Sequence, residues 1–74
     1  MTPEVALAHR LQRIWPALDE RTRRLVAANE ATAWGQGGIS AVSRACGLSR
    51  RVIREGLDEL TAGAGDARAA GGSR

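Results

Sequence analysis

Up to Thr61, apolar residues recur at intervals of three and four, the spacing that lines one side of an α-helix. Leu7, Leu11, Ile14, Trp15 and Leu18 form the first such stripe. It opens behind Thr2-Pro3-Glu4, a capping hydroxyl followed by a proline at the first helical position and an early acid. Pro16 disfavours helical geometry at Trp15, so the pattern predicts a first helix over about 3–15. Asp19 caps the next segment, which runs through Leu25, Val26 and a series of alanines to about Trp34. Its apolar face is small and predicts close packing against neighbours. Gly35-Gln36-Gly37-Gly38 ends it, because glycine accepts the left-handed backbone of a helix C-terminus without steric cost.

Two further helices, about 39–46 and 49–61, fit the remaining periodic sequence. Gly47 supplies a left-handed turn residue between them, with the small Ser43 four positions earlier and Val42 and Cys46 on the same inner side. Ser49 caps the last helix, and Leu48 and Ile53 are spaced as a hydrophobic staple. Ile53, Leu57 and Leu60 then make the expected buried stripe, with Arg51, Arg54, Glu55 and Asp58 pointing away and Arg50 at its edge. Gly56 sits where such pairs of helices often carry an aliphatic side chain, which suggests that the two approach closely or cross at a shifted angle. The prediction is an all-α fold: a three- to four-helix bundle over about 1–61, with a helix-turn-helix at about 39–60. From residue 62 to residue 74 the sequence turns to Gly, Ala, Arg, Ser and Asp without periodicity and reads as a disordered tail or the start of a linker.

Composition narrows the function. The single cysteine excludes an internal disulfide, and no Cys/His cluster suggests zinc. Phe and Tyr are absent, so the core must be thin and aliphatic, helped by two tryptophans. Trp15 and Trp34 are expected in the core or an interface, Cys46 in a structural role, and His9 on the surface. No apolar run approaches a membrane span and no signal-peptide pattern opens the chain, so the expected compartment is the cytoplasm. No nucleophile–base pair or carboxylate constellation can be assembled, no cofactor is implied, and the glycine run lacks the context of a phosphate-binding loop.

Charge adds the chief clue. The net charge is only +3, but every basic residue is arginine, and Arg44, Arg50, Arg51 and Arg54 fall in a stretch without acids. The outward N-terminal residues of the second helix in a helix-turn-helix enter the major groove, where arginine reaches guanine or phosphate. Ser49, Arg50, Arg51, Arg54, Arg44 and Glu55 are therefore the candidate contacts to double-stranded DNA. Arg21, Arg23 and Arg24 could touch flanking phosphates or simply form an exposed face. The competing reading pairs Arg51 with Glu55 and Arg54 with Asp58 as surface ion pairs. Arginine ahead of the acid, near a helix N-terminus, is the weaker order for such pairs.

The segments Asp19-Glu-Arg-Thr-Arg-Arg-Leu25, Ala27-Ala-Asn-Glu-Ala31, Gly35-x-Gly-Gly-Ile39, Ala41-Val42, Gly47-Leu-Ser49 and Ile53-Arg-x-Gly-Leu-x-Glu-Leu60 resemble the N-terminal region of certain DDE-type insertion-sequence transposases. That resemblance, over about residues 5–61, implies binding to the element's terminal repeats and places the catalytic acids in a downstream domain that this chain lacks. Two other expectations stand beside it: a helical protein-interaction module, such as a homodimer whose arginines serve solubility, and a free-standing DNA-binding regulator.

Overall fold

In the computed structural model, residues 1–67 are described; the fold is all-helical, with no strand among them. The described residues form four α-helices, α1 (Pro3–Ile14), α2 (Glu20–Trp34), α3 (Gly38–Cys46) and α4 (Arg50–Ala67), with a 3-10 turn at Trp15–Ala17. No helix of this part is long and apolar enough to cross a membrane.

The helix starts follow local chemistry. Thr2 Oγ1 accepts from the Val5 N–H at 3.2 Å, and Asp19 Oδ1 accepts from the Thr22 N–H at 2.8 Å. Hydrogen bonding to Thr22, through its side chain first and this N–H second, holds the Asp19 carboxyl below its ordinary pKa. α1 ends at Ile14, but Trp15 itself stays right-handed (φ −53°, ψ −45°), so Pro16 converts the helix into a tighter turn instead of forcing Trp15 into extended backbone.

α2 is the central helix. It packs most extensively on α4 and next on α3, while α1 lies chiefly on α3. Leu7, Leu11, Ala27, Ala31, Val42 and Ile53 form the buried cluster, with Trp15, Trp34 and Cys46 partly buried against it. Burial pushes the Cys46 thiol pKa up, away from the reactive thiolate. His9 is exposed. Ile14, expected in the first stripe, is 44% exposed. The stripe is narrower than its spacing suggests because α1 has one main neighbour and covers only the side carrying Leu7 and Leu11.

Small residues let α2 come close to both partners. A Cβ on Gly38 would collide with the Ala31 carbonyl, and one on Gly56 would lie 2.5 Å from the Arg24 carbonyl oxygen and 3.1 Å from Ala28 Cβ. The close approach at Gly56 is thus between α4 and α2, and not between α3 and α4 as the sequence pattern suggested. The buried face of α4 is turned accordingly. Ile53 and Gly56 are innermost, whereas Leu57 and Leu60 are only half-buried.

α4 also continues past its expected end near residue 61. It reaches Ala67, eighteen residues in all or about 27 Å of helix. Neither Thr61 nor Gly63 stops it: the Thr61 hydroxyl donates to the Leu57 carbonyl at 3.0 Å, a bond compatible with helix, and no proline intervenes. The expected tail over 62–74 is therefore helical at its start, and residues 68–74 lie outside the described part.

Candidate nucleic-acid interface

α3 and α4 are joined by three residues, Gly47–Ser49. Gly47 is left-handed (φ 84°, ψ −3°), and its N–H donates to the Ser43 carbonyl at 2.9 Å. The Ser43 hydroxyl donates to the Leu48 carbonyl at 2.7 Å, tying the end of α3 to the chain that begins α4. Ser49 Oγ accepts from the Val52 N–H at 3.2 Å, and the Ser49 carbonyl accepts from the Ile53 N–H at 3.1 Å. Ser49 therefore caps α4, as its position predicts, and Ile53 just beyond it is buried completely. This arrangement fixes which way the first two turns of α4 face.

Arg50, Arg51, Arg54, Glu55 and Asp58 are all exposed. Arg51 Nε lies 3.6 Å from Glu55, too far for a hydrogen bond, with side chains 88% and 53% exposed. Among the described residues, Arg50 and Arg54 have no ion-pair partner, and the Arg54–Asp58 pair does not form. The first turn of α4 contains no acid. Its positive end instead carries arginines, which opposes the helix dipole. A group of guanidinium ions is thus presented to solvent at a site where the helix itself gains nothing from them.

Arg44, Arg24, Arg21 and Arg23 meet partners within the fold. Arg44, on α3, donates through Nε and Nη2 to the two oxygens of Glu4 on α1, at 2.9 and 3.1 Å. Hydrogen bonding to Arg44 holds the Glu4 carboxyl below its ordinary pKa and raises that of Arg44. Arg24 reaches both oxygens of Glu59 on α4, with Arg24 Nη2 at 3.0 Å from Oε1. Arg21 stands 3.6 Å from the same carboxylate. Hydrogen bonds from Arg24 lower the Glu59 pKa, and those to Glu59 raise the pKa of Arg24. Arg23 Nε and Nη2 donate to the Trp15 carbonyl at 3.1 and 2.8 Å, and its guanidinium carbon is 5.6 Å from the Trp15 ring centroid.

The candidate residues thus divide. Ser49, Arg50, Arg51, Arg54 and Glu55 share the start of α4, while Arg44 is on α3 and occupied. Arg23 and Arg24, open to either reading in the sequence, brace the fold. Glu4 and Glu59 are the residues that sequence reasoning missed. Their partners are 40 and 35 positions away, so no local spacing could have indicated them. Comparison with known protein families, curated proteins and solved structures finds no match for this chain.

Proposed function

We propose that this chain is a cytoplasmic double-stranded-DNA-binding module, a helix-turn-helix whose α4 offers its first two turns to the major groove. The observation that supports it is the set Arg50, Arg51 and Arg54 on the exposed start of α4, two of them without an ion-pair partner among the described residues. Arginines that oppose a helix dipole and bond to nothing within the fold are available to an external anion. Outward-facing arginines at the beginning of such a helix suit guanine edges and phosphates alike. Glu55 beside them suits the amino group of cytosine.

The role is binding and not catalysis. The resemblance to insertion-sequence transposases narrows the target to terminal repeats, and an in-frame catalytic region downstream in the genome would support that origin. The test of DNA binding itself is titration of a labelled duplex at two salt concentrations. Affinity should fall steeply with salt, because bound phosphates release their counterions. Arg54→Ala should cost about 1–3 kcal/mol on a preferred site and less on random duplex. Absence of binding at low salt would favour a helical protein-interaction module or homodimer.

A further inference from the structure

We infer that Glu4 is an internal competitor for DNA: its carboxylate occupies Arg44 in the free protein and yields it to a backbone phosphate on binding. This rests on the DNA-binding reading and extends the contact surface from α4 onto α3.

Three observations carry it. The Arg44–Glu4 pair is two-pronged yet lies in solvent, its side chains 61% and 42% exposed. Exposed pairs of this kind are weak and readily exchanged, and a phosphate offers the same fork of oxygens as a carboxylate. Each partner is also stabilised where it stands, Glu4 in the first turn of α1 and Arg44 in the last turn of α3. Glu4 therefore keeps a favourable helix end when Arg44 turns away, so the exchange leaves no stranded charge.

The third observation is position. The chain is helical up to the Gly47 N–H, so Arg44 and Arg50 are separated by three helical steps and three extended ones at most. That bounds their Cα separation at about 15 Å. That bound is comparable with the width of one major groove, about 12 Å, so Arg44 and Arg50 lie close enough together to meet one duplex. Arg24 offers a contrast. Its pair with Glu59 is more enclosed, with Arg24 only 21% exposed and its stem beside Gly56, so its release would disturb the helix contact.

The experiment compares duplex affinity and its salt dependence for the parent chain, Glu4→Gln, Arg44→Ala and the double variant, with circular dichroism to confirm that each is folded. Glu20→Gln removes the same charge from another first-turn acid, exposed and with no arginine bonded to it, and so reports the effect of losing such a carboxylate without releasing Arg44. Glu4→Gln should tighten binding roughly three- to tenfold at low salt and steepen the salt slope by about one phosphate's worth. Adding Arg44→Ala should abolish that gain. An unchanged affinity in Glu4→Gln, a gain that survives loss of Arg44, or an equal gain in Glu20→Gln would overturn the inference while leaving DNA binding intact. Failure of every variant, parent included, to bind duplex would overturn the DNA reading and this inference with it.

Discussion

Arg24 and Arg54 carry the same guanidinium on neighbouring helices, yet the two sides of α4 they represent are built on opposite terms. Around Arg24, α2 and α4 meet backbone to backbone at Gly56, and Glu59 closes over the contact. Around Arg54 there is solvent and no ion-pair partner among the described residues. One region gives its arginine to the fold, and the other withholds its arginines from it. Residue type is the same in both, so the distinction depends on what the folded chain brings opposite each one.

The largest way to break this comparison is Gly56→Ala. The added Cβ would meet a backbone carbonyl, which cannot swing aside as a side-chain tip can. Overpacking of that kind, less the helix propensity that alanine gains, should cost about 2 kcal/mol in chemical denaturation. Stability equal to the parent's would mean that α2 and α4 are not locked at this point. Arg24→Ala should come next, with a smaller but measurable loss, because it removes both the bonds to Glu59 and the stem lying beside Gly56. Arg50→Ala and Arg54→Ala should move stability least, within about 0.5 kcal/mol, with Arg50→Ala slightly stabilising because it relieves the clash with the helix dipole. Thermal melting would check this, and a marked loss in either variant would reveal a hidden structural role.

The sequence made some of this legible for physical reasons. Thr2, Asp19 and Ser49 act on N–H groups three residues ahead, so their spacing carries the whole interaction. Gly47 was likewise readable, since its left-handed backbone depends on its own lack of a side chain. The neighbour of Gly56 was not readable. A glycine announces a close approach but not the helix that makes it, and Arg24 is remote in sequence. The roles of Arg23 and Arg44 stayed ambiguous for the same reason, because a carbonyl at Trp15 or a carboxylate at Glu4 becomes a partner only after folding. The end of α4 was misjudged on composition: alanine and glycine lack apolar periodicity, but without proline they still permit a helix to run on.

The division of α4 into an anchored side and an unanchored one has a consequence for how such a protein can change over generations. Ile53, Gly56 and Glu59 bind the helix to the rest of the bundle, whereas positions 50, 51, 54 and 55 take almost no part in that attachment. Substitutions at these four positions can therefore accumulate without first unfolding the chain. On the DNA-binding role proposed above, the outer face of α4 is a replaceable lettering on a fixed rod, and rewriting a few codons would change its target.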